Sequence, residues 1–166
     1  MDGNCHFIFG LSVGISASMI MGTDFNGSIP IITGCLVGSI FPDIDNPNSH
    51  FGKLTKPIST VIGKISETVG KTGSNHRGIF HDLCLYAGGF FLCYYYQIAL
   101  IWFCLGGLSH LLLDMFNPSG IPILLGQGRL RIAKLKSGDT SSIIVTWILT
   151  VINPIAVFFY TQGFQW

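Results

Sequence analysis

Four long apolar stretches, separated by one short turn and two polar loops, organise this 166-residue chain. Residues 5–22 carry no charge beyond what His6 can take up. They are long enough for a spanning helix, which needs roughly 20 mostly apolar residues. Asp24, Asn26 and Gly27 then predict a turn. A second run, residues 28–41, ends at Pro42. As a helix it rises only about 21 Å, so it is expected to start or end inside the membrane, where surrounding protein covers its backbone. The run over 80–115 is too long for one span and suits two, with the break near Tyr96–Gln97. Residues 142–161 form a last span, interrupted by Asn153–Pro154, which predicts a kink. Polar loops occupy 42–79 and 116–141. Within the first, Ile58, Val61, Ile62, Ile65 and Val69 recur at helical spacing, so 58–69 reads as an amphipathic helix on the membrane surface. The pattern predicts an all-α, polytopic membrane helix bundle. It has about five spans (5–22, 28–41, 80–96, 97–115 and 142–161) in one integral membrane domain over 1–166.

Charge sharpens this picture. Only 10% of residues are charged, against about 25% in soluble domains, too few to cover a soluble surface. All nine Lys and Arg lie in the two polar loops: Lys53, Lys56, Lys64, Lys71 and Arg77 in the first, Arg129, Arg131, Lys134 and Lys136 in the second. With five spans both loops share one side, and the positive-inside rule makes that side cytoplasmic. The N-terminus is then inside and the C-terminus outside. If 80–115 crossed only once, the basic loops would lie on opposite sides. Net charge is +1 with no basic or acidic run, so no nucleic-acid partner is expected. Met1–Asn4 lacks the basic start of a secretory signal, so the first stretch reads as part of the mature chain. The five cysteines lie in or beside apolar stretches and read as small buried hydrophobes. The pairs Gly10/Gly14 and Gly34/Gly38 would let the first two helices pack closely.

On that topology the histidines and aspartates gather at one membrane face. His6 opens the first helix, Asp43 and Asp45 follow the second, His76 and His81 precede or open the third, and His110 and Asp114 close the fourth. His110 and Asp114, four apart, share a helix face, where they can share a metal or the carboxylate can orient the imidazole. Asp43 and Asp45, two apart, suit a turn that points both at one centre. His50, in a polar loop, reads as a solvated surface residue. Ionisable groups within an apolar helix are functional candidates by default, and His110 and Asp114 meet that condition. Imidazole with carboxylate suits Zn²⁺, Mn²⁺ or Fe²⁺. Seven ligands exceed one tetrahedral site, so one or two ions are expected. Two-metal sites clamp the attacking and leaving oxygens of a phosphoester, and Arg77 would hold a phosphate oxygen. The start Asp43-Ile44-Asp45 is not a calcium loop, because Pro47, Asn48 and Leu54 stand where such a loop needs an oxygen ligand, a glycine and a glutamate.

Three segments carry a family likeness: Pro42-Asp43-Ile44-Asp45-Asn46 with Ser49 and Gly52, then His76-Arg77-Gly78-Ile79-Phe80-His81, then Ser109-His110-Leu111-Leu112-Leu113-Asp114. In this order, with an early His6, the chain resembles the YdjM-type inner-membrane proteins, described as metal-dependent hydrolases. The likeness runs from His6 to about Asp139. It implies a bacterial inner-membrane protein or a phage-encoded copy of one, and metal binding by His6, Asp43, Asp45, His76, His81, His110 and Asp114. Asp82 departs from the family pattern and adds a carboxylate. The acidic residue of the later loop would here be Asp139 or be absent.

The expected function is therefore a membrane-embedded, metal-dependent hydrolase of an ester or phosphoester at the cytoplasmic face, its substrate a lipid, a lipid-linked molecule or a soluble phosphoester. Asp43, Asp45 and His81 would hold metal or activate water, with Arg77, and Arg129 or Arg131, binding a negative headgroup. The alternatives are a scaffold stapled by a structural metal and a metal transporter. The latter usually places ligands near the bilayer midplane, whereas here they crowd one end.

Overall fold

A computed structural model of the chain describes residues 2–49, 52–53, 55–70, 79–124 and 127–163. They are mostly helical. Helix α1 runs Gly3–Met21 and ends on Gly22 in the left-handed conformation (φ 60°). The expected turn at Asp24–Gly27 is in fact a helix start. Asp24 caps α2 (Phe25–Ile40) by accepting the Gly27 N–H at 2.8 Å, which satisfies one of the donors a helix start leaves open. This adds a turn to the second apolar run, and a 3-10 turn over Phe41–Asp45 extends it further. The surface helix α3 spans Lys56–Gly70. A 3-10 turn at Ile79–His81 leads into α4 (Leu83–Tyr95), capped by Asp82 on the Cys84 N–H. Gln97 takes a positive φ of 53° in the turn before α5 (Ile101–Asp114). The break in the third apolar run thus falls where the lone amide predicts it. The long helix α6 covers Thr140–Gly163.

One feature departs from an all-helical chain. Residues 121–123 (β1) and 128–130 (β2) pair antiparallel in the second polar loop, Ile121 opposite Leu130. Ile121 is fully buried and packs with Leu111 and Tyr86, so the hairpin seals the end of the α4–α5 pair.

Helices Gly3–Met21, Phe25–Asp45 and Thr140–Gln162 are long and apolar enough to cross a membrane; α4 and α5 are apolar but shorter. The bundle is inside-out relative to a soluble domain. Its contacts are made by small and polar residues, such as Gly10, Ser12, Gly14 and Ser16 of α1, while Phe25, Phe91 and Phe159 are exposed. Small residues let helices approach where lipid gives no hydrophobic drive. A Cβ at Gly10 would overlap Ser39, and one at Gly14 would press on Ile32, so the first glycine pair joins α1 to α2. The second pair does something else. Gly38 lies against the Phe103 carbonyl and Gly34 against Trp102, so it joins α2 to α5 rather than to α1.

Helix α6 packs on α1 and runs through Asn153–Pro154 without ending. Proline removes the N–H that would bond the carbonyl four residues back, here that of Thr150. Ser12 Oγ of α1 donates to that carbonyl at 2.8 Å, and Asn153 Nδ2 donates to Ser16 Oγ at 2.9 Å. The break in one helix is repaired by its neighbour.

Helices α1, α2, α4 and α5 alternate in direction, since the start of α1, the residues after α2, those before α4 and the end of α5 come together. His6, Asp43, His81 and Asp114 meet at one end. Met21 lines a cleft with Tyr95, Gln97 and Trp102 at the other.

Candidate metal centre

Four atoms form a closed ring at the meeting of α2, α4 and α5. His81 Nε2 lies 3.7 Å from Asp43 Oδ1 and 3.8 Å from Asp114 Oδ2. His110 Nε2 lies 3.9 Å and 3.8 Å from the same two oxygens. His81, His110 and Asp114 are buried, and Asp43 is partly exposed. The 3-10 turn supplies Asp43, the turn into α4 supplies His81, and the last turns of α5 supply His110 and Asp114. The four-residue spacing of the last pair stacks both on one helix face, as the sequence predicts.

Side chains of this ring could hold a metal ion. His110 Nδ1 sits 2.7 Å from the Ser39 carbonyl, which must accept a proton from it. That leaves Nε2 as the lone-pair nitrogen, and this buried atom has no hydrogen-bond partner among the described residues. Buried polar atoms are nearly always satisfied, and an exception calls for an explanation; an ion supplies one. Donors around tetrahedral zinc, at about 2.0–2.1 Å from it, stand about 3.4 Å apart. The four edges of the ring, at 3.7–3.9 Å, are a few tenths of an ångström longer.

His6 stands beside the ring. Its Nε2 is 3.5 Å from Asp114 Oδ1, and its ring stacks on His110 with centroids 3.7 Å apart. Two groups of three can therefore hold an ion: Asp43, His81 and His110, and His6, His110 and Asp114. They share His110, which has one nitrogen to give, so the described residues do not furnish two separate ion sites of three ligands each.

Asp45 lies elsewhere than sequence spacing suggests. Its Oδ2 is 3.8 Å from His81 Nδ1, on the other nitrogen of that ring from Asp43, and it belongs to neither group. A 3-10 helix has 3.0 residues per turn, so positions two apart point about 120° away from each other. Asp82 is the α4 cap and Asp139 is an exposed residue just before α6; neither joins an ion group. His50, His76 and Arg77 lie outside the described residues. Arg129 and Arg131 donate to the carbonyls of Ser119 and Pro118, tying the hairpin to the turn after α5.

Three contributors escape sequence reasoning. The Ser39 carbonyl sets the His110 tautomer, and backbone atoms leave no residue-type signal. Asn117 donates to Asp114 Oδ1; its place three residues beyond Asp114, at a helix end, is a spacing that could have found it. Lys53 lines the cavity that Asp43 and Asp114 of the ring also line. That cavity, of about 520 Å³, is lined by His6, Asp43 and Asp114 together with polar residues such as Asn46, Lys53 and Ser119.

Comparison with known proteins assigns the chain to a family. The profile of the YdjM inner membrane protein family matches residues 1–164. The inner membrane proteins YdjM of Escherichia coli (strain K12) and of Shigella flexneri are each 32% identical to the chain over 103 residues, covering 57% of it and 48% of the relative. The match thus spans about half the length of these relatives. No solved structure matches the chain. With nearly every residue inside the family profile, the chain belongs to the YdjM inner membrane protein family.

Proposed function

We propose that the protein is a metal-dependent hydrolase of the bacterial inner membrane, cleaving an ester or phosphoester at the cytoplasmic face. The observation that carries this reading is the buried His110 Nε2, without a hydrogen-bond partner among the described residues, in a ring with His81, Asp43 and Asp114, the two carboxylates of which line a polar cavity. His81, His110, Asp43 and Asp114 would hold one divalent ion, zinc by donor type with manganese or iron as alternatives. His6 and His76 stand as further ligands. Such an ion acts as a Lewis acid on a carbonyl or phosphoryl oxygen and generates a nucleophile from water at neutral pH.

The chain's own residues would do the rest. Asn117 fixes the Asp114 carboxylate, leaving its second oxygen for the ion. Lys53, with Arg77, would hold a negative group. The described cavity lining contains no large hydrophobic side chain. This favours a hydrophilic group there, the head of a lipid or lipid-linked molecule or a soluble phosphoester, over an acyl chain.

The same reading makes 1–166 one membrane domain with five spans and a cytoplasmic N-terminus. The run from His81 to Asp114 leaves the ion-site face and returns to it, the two side chains ending 3.8 Å apart. Seven of the basic residues, Lys53, Lys56, Lys64, Arg129, Arg131, Lys134 and Lys136, are described, and all lie in the two loops on that face.

Elemental analysis of detergent-purified protein, wild type beside His110→Ala, tests the site. One or more equivalents of a transition metal, lost in the variant, with phosphoester or phospholipid turnover lost in parallel, is the expected result. Folded wild type devoid of metal would overturn the reading. A bound metal without turnover on any ester or phosphoester would leave a metal-stapled scaffold.

A further inference from the structure

Each ring histidine has an acceptor behind it, at hydrogen-bond distance for His110 and at ion-pair distance for His81. His110 gives its Nδ1 proton to the Ser39 carbonyl of α2. His81 presents Nε2 to Asp43 and Asp114, and Asp45 Oδ2 stands at its other nitrogen, 3.8 Å away. An imidazole that donates a lone pair to a metal through Nε2 must carry its proton on Nδ1. An acceptor at Nδ1 then fixes both tautomer and ring orientation. Asp45 is fully buried and is the carboxylate on that side of the ring. It lies in neither three-residue ion group.

A second set of contacts fixes Asp45 itself. Helix α3 packs on the 3-10 turn that carries Asp45 and on the one that carries His81. Gly63 sits so close over the Asp45 carbonyl that a Cβ there would strike it, and Ser59, one helical turn earlier, is buried. The small face of α3 is thus the lid on Asp45, while Ile58, Val61 and Ile65 on its other side are exposed.

We propose that Asp45 is not a metal ligand but a positioning residue, which holds His81 through Nδ1 and is held in turn by α3 at Gly63. This rests on the metal reading above and changes what it assigns: Asp45 leaves the ligand set and acts through His81.

Metal affinity measured by chelator competition, with Co²⁺ as a spectroscopic probe, tests it on full-length protein in detergent. Wild type, Asp45→Ala, Asp45→Asn and Asp43→Ala are compared. Loss of such an outer partner typically lowers metal affinity about 10–100-fold. Asp45→Ala should therefore bind the wild-type stoichiometry of Co²⁺ with an unchanged number of ligands in its visible spectrum, at an affinity lower by about that factor. Asp45→Asn, whose amide oxygen can still accept from Nδ1, should recover part of the loss. Asp43→Ala should change the Co²⁺ spectrum itself. A spectrum altered alike in Asp45→Asn and Asp43→Ala would make Asp45 a ligand and overturn the proposal. So would wild-type affinity in a folded Asp45→Ala. Wild type that binds no ion would instead remove the metal reading, and this inference with it.

Discussion

At the scale of the residue, polar side chains in this bundle also repair the backbone, away from the site. Ser12 shows the cost most clearly. Its hydroxyl is the donor to the Thr150 carbonyl that Pro154 leaves without its helical partner. Ser12→Ala should strand that carbonyl between two helices, destabilising the protein by about 1–2 kcal/mol. Denaturant unfolding in detergent micelles measures this, and metal content should stay at the wild-type level because the pair lies far along α1 from His6. Gly38 is a sharper case. Its Cα faces the Phe103 carbonyl, which is backbone and cannot swing aside. Gly38→Ala must therefore push α2 from α5, at about 1–3 kcal/mol for overpacking. Since α2 carries Ser39 and α5 carries His110, this substitution, unlike Ser12→Ala, should also weaken metal binding.

At the scale of the element, the informative pair is α4 and α5. Each is shorter than a typical spanning helix, rising about 20 Å against a hydrocarbon core of about 30 Å. Flanking residues have to make up the difference. At the far end Tyr94, Tyr95 and Tyr96 are all exposed, the composition of an interfacial aromatic belt. A thiol placed at Gln97 should accordingly react with a membrane-impermeant reagent from the outer side of intact spheroplasts. One placed at Lys134 should react only after the membrane is opened. Labelling of both from the same side would dissolve the five-span arrangement. The amphipathic period over 58–69 announces α3, because a helix needing one apolar face must repeat at about 3.6 residues. What it packs against is set by Ser59 and Gly63, whose smallness matters only once Asp45 lies beneath. The glycine pairs were legible as close contacts, but not which partner each meets, since spacing along one helix carries no information about its neighbour.

At the scale of the whole molecule, the bundle is closed at one end by charged and aromatic groups and elsewhere by small-residue contacts. That ends of α1, α2, α4 and α5 meet there was readable from hydropathy and the placement of His6, Asp43, His81, His110 and Asp114. Two things were hidden. Asp43 and Asp45 diverge because their turn is 3-10, and the strand pair 121–123 and 128–130 is anchored where Ile121 finds a buried seat on Leu111 and Tyr86. The convergence has a consequence for stability. Two carboxylates and two imidazoles drawn from three elements are held 3.7–3.9 Å apart, and a cation bound among them would tie these elements together more tightly. An ion that binds the folded protein and not the unfolded chain stabilises by mass action, about 2.7 kcal/mol when free metal is 100 times its dissociation constant. For a chain of this length each kcal/mol moves the melting temperature by about 2–4 °C. Stripping the metal with a chelator should therefore lower the melting temperature in detergent by about 5–10 °C, and refilling should restore it. His110→Ala should melt at the same temperature with and without chelator. A melting temperature that ignores the chelator in wild type, with the metal shown to be gone, would mean that helix contacts alone hold these ends together and that the ion is no part of the fold.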